Sequence, residues 1–186
     1  SMIVPFPSKD LCQWDNLYKN LISRYRYAII NDQVEIEVNQ KTISKNTIIE
    51  FVKTGKPLMG ICLGMQLLFE NSEEFRGSIG LSIIEGSTIK FANHDSINTI
   101  PHVGWNSVRI NQDANKSGAM RGIKDGDFFY FVHSLYVKPN NRSFVKTFTT
   151  HDKFEFCSSI SYENVFASQF HPEKSGEKGL RILKNF

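Results

Sequence analysis

Gly60-Ile61-Cys62-Leu63-Gly64-Met65-Gln66 carries the reading of this chain, flanked by Lys56-Pro57-Leu58-Met59 and Leu67-Leu68-Phe69-Glu70. Residues 56–61 read as a short buried strand entered through a proline. Residues 64–70 hold helix formers and no proline, so a helix is expected there. A strand, an abrupt turn and a helix, with glycines two residues before and two after a cysteine, have the form of a nucleophile elbow. The glycines admit a strained turn that projects the side chain outward and lets the helix pack close behind. A thiol at a helix N-terminus has its thiolate favoured by the macrodipole. The N–H of the next residue, Leu63, points to where an oxyanion would form. A lone cysteine is more often a packed core residue, but the flanking glycines at this junction favour a nucleophile.

A thiol nucleophile needs a base, and histidine is the most frequent one. The candidates are His94, His102, His133, His151 and His171. His171 closes the apolar run 165–170 and is followed by Pro172-Glu173. On extended backbone, residues i and i+2 project to one side, so Glu173 is expected to orient the ring. Taken alone, His-Pro-Glu is more often a simple turn. Beside the elbow it becomes the leading base.

The totals bound the function class. The 186 residues suit one domain, and a net charge of +3, with scattered lysines, gives no basic stripe for nucleic acid. The apolar runs are strand-sized and too short to cross a membrane. Ser1-Met2-Ile3-Val4-Pro5 lacks the features of a signal peptide, and three cysteines without zinc or disulfide spacing fit a reducing cytoplasm. Neither a metal nor a cofactor is expected. Cys12 and Cys157 read as packing residues.

Working outward, Ser44 caps an expected helix at 44–53, with Ile48, Ile49 and Val52 at helical spacing. After residue 81 the pattern becomes strand-like: 88–91, 103–110, 127–137, 143–150, 154–160 and 165–170, punctuated by Lys124-Asp125-Gly126 and Pro139-Asn140-Asn141. Residues 177–186 read as a terminal helix. The first forty residues are harder to read: 15–22 suits a helix, and 27–38 a strand or a hairpin. The class implied is an α/β sheet with an added antiparallel β layer in the second half.

Five blocks resemble, in order, a known family: residues 60–66, Gly80-Leu81-Ser82-Ile83-Ile84-Glu85-Gly86, Pro101-His102-Val103-Gly104-Trp105-Asn106, Tyr130-Phe131-Val132-His133-Ser134, and Gln169-Phe170-His171-Pro172-Glu173-Lys174-Ser175. They are similar to the class I glutamine amidotransferases, and within these to the glutaminase subunit or domain of imidazole glycerol phosphate synthase. The resemblance runs from about residue 48 to the C-terminus and implies a flavodoxin-like sheet with a Cys62–His171–Glu173 triad. It implies an oxyanion amide at Leu63, glutamine contacts at Gln66, Glu74, His133 and Ser134, and hydrolysis of glutamine to glutamate and ammonia. It also implies a (β/α)8-barrel cyclase partner that uses the ammonia in histidine biosynthesis, with Trp105 and Lys174 at the interface. The bland alternatives for those two are a core tryptophan and a solvated lysine.

The front of the chain departs from the family, so residues 1–186 form one amidotransferase domain whose first 44 residues are atypical. The family's Pro-Gly-Val-Gly loop, which offers a second oxyanion amide, would read Pro5-Phe6-Pro7-Ser8 here, and Pro7 has no N–H. Alternatively, 3–6 and 27–36 are the first two strands and that loop is deleted. Either way, weak glutaminase activity is expected of the chain alone. Two other functions fit the residues: a relative feeding ammonia to a sugar-modifying enzyme of surface-glycan synthesis, and an impaired amidotransferase-like binding module.

Overall fold

The computed structural model describes residues 2–5, 25–30, 33–38, 41–74, 77–112 and 118–186, those before 44 through their backbone alone. In chain order the strands and helices are β1 (Met2–Pro5), β2 (Tyr25–Ile30), β3 (Gln33–Val38), β4 (Lys41–Ser44), α1 (Lys45–Lys53), β5 (Leu58–Ile61) and α2 (Leu63–Leu67). There follow β6 (Phe69–Ser72), β7 (Ser78–Ile79), β8 (Ile84–Lys90), β9 (His102–Ser107), β10 (Arg109–Ile110) and β11 (Phe128–His133). The chain closes with β12 (Leu135–Pro139), β13 (Val145–His151), β14 (Phe154–Tyr162), β15 (Val165–Ser168) and α3 (Gly176–Asn185).

The main sheet runs β1-β5-β15-β14-β12-β8-β6-β7, with β13 added on β14 and β10 on β13. Among the described residues, only β5–β15 and β6–β8 pair in parallel; the other pairs are antiparallel. The nine-residue β14 pairs with β15, β13 and β12, so the sheet curls around it. This is the expected α/β sheet with its antiparallel addition, and β9–β11 form a separate two-stranded ribbon over it.

Every residue of β5 and β15 is buried, which explains why both read as continuous apolar runs rather than alternating ones. Leu58, Val165 and Ala167 face a core completed by Ile48 and Val52 of α1. Met59, Ile61 and Phe166 face the opposite core, which holds Phe91, Phe129, Phe131, Phe156, Phe170 and Ile182. α1 starts where the sequence places it: the Ser44 hydroxyl accepts from the Thr47 N–H at 3.3 Å.

Two expectations need correction. The helix after Cys62 does not run to residue 70 but stops at Leu67, and β6 begins at Phe69. Carbonyls that would have bonded to a further turn are taken by the following segment: Leu81 N–H donates to Leu67 O, and Ile83 and Ile84 N–H to Leu68 O. Gly80 lies so close to this corner that a Cβ would sit 2.1 Å from Phe69 O. Tertiary bonding here overrides helix propensity.

The alternative that made 27–36 the second strand of the main sheet is also set aside. β2 pairs antiparallel with β3, and with β4 they make a sheet of their own. Pairing of neighbours in sequence closes the shortest loops, at the least entropic cost. The expected helix at 15–22, the loop residues 6–8 and Cys12 lie outside the described residues.

Candidate active site

Cys62 occupies the turn between β5 and α2 with φ 54° and ψ −106°, a conformation L-residues seldom adopt. Such a residue stores about 1–3 kcal/mol of strain, and the surroundings must hold it there. They do so from both sides. Its N–H donates to Ser168 O of β15 at 2.7 Å, and its own carbonyl accepts from Met65 and Gln66 N–H. Gly60 allows the elbow to close: a Cβ there would lie 2.8 Å from Gly64 O and 2.9 Å from Gly64 C, both backbone atoms. Gly60→Ala should therefore cost about 1–3 kcal/mol by overpacking, read as a lower denaturation midpoint in urea.

β5 and β15 are parallel and in register, with Ser168 opposite Ile61. The residues that follow each strand therefore emerge side by side at the carboxyl edge of the sheet, where open α/β sheets place their ligand sites. Cys62 follows one strand; Gln169, Phe170 and His171 follow the other. Two blocks about a hundred residues apart meet for this reason.

His171 Nδ1 and Glu173 Oε1 are 2.6 Å apart, with both side chains almost fully buried. They meet across the 3₁₀ turn Pro172–Lys174, not along the extended backbone that the spacing implied. The turn is anchored at several points. His171 N–H donates to Tyr130 O, Ser175 Oγ donates to His171 O, and Tyr130 N–H donates to Ser175 Oγ. α3 packs onto it through Gly179, where a Cβ would lie 1.8 Å from Pro172 O.

Burial disfavours the imidazolium of His171, but hydrogen bonding and charge from Cys62 and Glu173 outweigh it and raise its pKa to about 9. The ring's other nitrogen, Nε2, is buried, and its one counterpart is the Cys62 sulfur, with which it shares a proton. The Cys62 sulfur meanwhile donates to Val132 O at 3.7 Å and receives the Gln169 amide N–H at 3.6 Å.

The other histidines are accounted for elsewhere. His94 Nε2 bonds to the Tyr136 hydroxyl at 2.5 Å, and His151 Nε2 donates to Thr99 O. His102 and His133 bond to each other, Nδ1 to Nε2, at 3.0 Å. Burial first of all lowers both, His133 to about 3 and His102 to about 4, so both are neutral.

The remaining expected site residues fall in three places. Leu63, first residue of α2, has one of the N–H groups that no helix satisfies from within. Gln66 is buried, and its amide donates to Leu135 O and Gln169 Oε1. Ser134 links β11 to β12, its carbonyl accepting from Phe91 N–H. Glu74 lies beyond β6, with its N–H on Ser72 Oγ.

Trp105 is 56% exposed, which excludes the core-tryptophan alternative, and Lys174 is exposed on the turn beside Glu173. The residue types at 101–106 suggest a polar face, but the structure shows otherwise. Strand alternation turns His102 inward and Val103 and Trp105 outward, so the outer face is apolar. Cys157 is buried in β14 with its thiol on Ser159 O, and burial pushes that thiol up, consistent with packing. Sequence reasoning missed Gln169 as a neighbour of the sulfur. The register of β15 on β5 is what brings it there.

An elbow cysteine and a histidine held by a carboxylate on a curled α/β sheet are the parts that cysteine-dependent acyl transfer uses. The chain belongs to the class-I glutamine amidotransferase family, whose model matches residues 36–186. It is 47% identical over 142 residues to the imidazole glycerol phosphate synthase subunit HisH of Pyrococcus furiosus, covering 76% of this chain and 70% of that one. It is 50% identical over 142 residues to the subunit of the same name from Methanocaldococcus jannaschii, covering 76% and 68%. Among solved structures, PurLQS from Thermotoga maritima shares the fold, with a TM-score of 0.54 at 16% identity over 76% of this chain and 65% of that one. No helix among the described residues is long and apolar enough to cross a membrane.

Proposed function

We propose that this chain hydrolyses glutamine through Cys62, His171 and Glu173 and delivers the ammonia to a cyclase subunit that makes imidazole glycerol phosphate in histidine biosynthesis. The alignment of those three side chains at the carboxyl edge of β5 and β15 carries the reading. His171, kept protonated by its raised pKa, holds the proton of the Cys62–His171 pair, and the Cys62 thiolate attacks the carboxamide carbon. The tetrahedral oxyanion is held by Leu63 N–H, and His171 gives its proton to the leaving nitrogen. Ammonia departs and a glutamyl thioester remains. Water, deprotonated by His171, hydrolyses it to glutamate and restores the thiolate–imidazolium pair. Glutamine recognition is assigned to Gln66, Glu74, His133 and Ser134; Gln66 and His133, being buried, act from behind the site.

The partner is a (β/α)8-barrel cyclase, and the working unit is a cytoplasmic heterodimer. Its docking face is the outer side of β9–β11, where Val103, Trp105, Phe128 and Val132 are exposed and the half-buried Tyr130 pairs across from Trp105. Backbone bonds from Tyr130 to the His171 turn tie that face directly to the site. Trp105→Ala should weaken cyclase binding by tenfold or more, the loss expected of an aromatic anchor, with no change in the isolated chain's melting temperature. Titration calorimetry against the cyclase checks it.

The function is tested by glutamate release with and without the cyclase, with Cys62→Ala as the blank. Alone, the chain should turn over slowly, since one missing oxyanion donor usually costs about 100- to 1000-fold, and the rate should rise with the cyclase bound. Equal rates with and without the partner would sink that part of the reading.

A further inference from the structure

Gln169 is fully buried, yet no step of the chemistry above uses it. Its orientation can be deduced from its neighbours. A backbone carbonyl only accepts, so the nitrogen of Gln66 that meets Leu135 O at 3.2 Å must be the amide NH2. The second hydrogen of that NH2 goes to Gln169, 3.0 Å away, so the Gln169 atom facing it is its oxygen. The Gln169 NH2 therefore faces the Cys62 sulfur, at 3.6 Å.

Leu135 O is itself held from the other side. His133 Nδ1 lies 2.7 Å from it and must be the protonated nitrogen, so neutral His133 accepts at Nε2 from His102 Nδ1–H. His102 Nε2 in turn accepts from Asn106 Nδ2, whose other contact is Thr150 O. Each donor direction along this chain is forced, and burial keeps both rings neutral and their tautomers fixed. It begins on β9, the inner side of the exposed ribbon, and ends on sulfur.

We propose that Gln169 is a positioning residue whose amide N–H holds and stabilises the Cys62 thiolate, its orientation locked by Gln66 and, behind it, by the His133–His102–Asn106 chain. Where the sulfur carries the proton, the S–H points to Val132 O and the Gln169 N–H meets a sulfur lone pair. Where the proton sits on His171 Nε2, the Val132 contact has no donor. The Gln169 contact becomes charge-assisted, which makes a hydrogen bond roughly twice as strong. This rests on the reading of Cys62 as the nucleophile.

The test is the pH dependence of Cys62 alkylation by iodoacetamide in the full chain, followed by intact and peptide mass. Gln169→Leu removes the donor, whereas Gln169→Glu keeps the size and the bond from Gln66 but presents an acceptor to sulfur. His171 and Glu173, and His133 behind the relay, stay in place in both. Alkylation below the midpoint should slow about tenfold in Gln169→Leu and further in Gln169→Glu, with the midpoint moved up accordingly. Gln66→Leu should give a smaller slowing, and adding it to Gln169→Leu should change nothing more, since both act through one amide. Unchanged midpoints in the Gln169→Glu protein, or additive effects in the double variant, would overturn the proposal. Alkylation needs no glutamine, so its outcome is independent of whether the chain turns glutamine over.

Discussion

Cys62→Ala should lower glutamine hydrolysis in the cyclase complex by about 10⁴-fold or more, to a residue set by the oxyanion amide and binding alone. Removing the sulfur leaves the carboxamide with no nucleophile, so the covalent route is lost altogether. The fold should survive. The strained φ of 54° at Cys62 is imposed by backbone bonds to Ser168, Met65 and Gln66, none of which involves the sulfur. An alanine is held in the same place at similar strain, so Cys62→Ala should melt within a few degrees of the parent. Use of external ammonia by the complex should be untouched, because that half of the reaction lies on the partner.

Glu173→Gln should have the next largest effect, a loss of about 10³-fold or more in kcat with KM little changed. The 2.6 Å contact to Nδ1 fixes the ring orientation and favours its charged form; an amide supplies geometry without charge and can select the wrong tautomer. Stability should change its pH dependence as well. In the folded chain His171 has a pKa of about 9, against an ordinary value of 6.5. A raised pKa means stabilisation that is complete below about 6.5 and is lost as pH rises through 9. The parent should therefore lose stability between those pH values, and Glu173→Gln should show a flatter profile. Urea midpoints measured across that range check the sign; a steeper profile in the variant would contradict it.

Much of this site was legible before any coordinates. Cys62 announced itself through Gly60 and Gly64, and the structure gives Gly60 a steric reason: no Cβ fits against Gly64 O. His171 and Glu173 were legible as a pair because they are close in sequence, although a 3₁₀ turn brings them together rather than a strand. What stayed hidden depended on contacts between distant segments. The early end of α2 is set by Leu81 and Ile83 bonding to its last carbonyls. The inward turn of His102 and the approach of Gln169 to sulfur follow from strand pairing that local pattern does not encode. Trp105 shows the same limit, since only its 56% exposure separates an outward-facing residue from a core one.

The most direct test of the central claim is to treat the complex with a glutamine analogue carrying an electrophile at the carboxamide carbon, then locate the adduct by peptide mass. The account predicts one adduct per chain, on Cys62, formed faster with the cyclase bound, competed by glutamine and absent in Cys62→Ala. An adduct on any other residue, or none on Cys62 while glutamine is being hydrolysed, would contradict it.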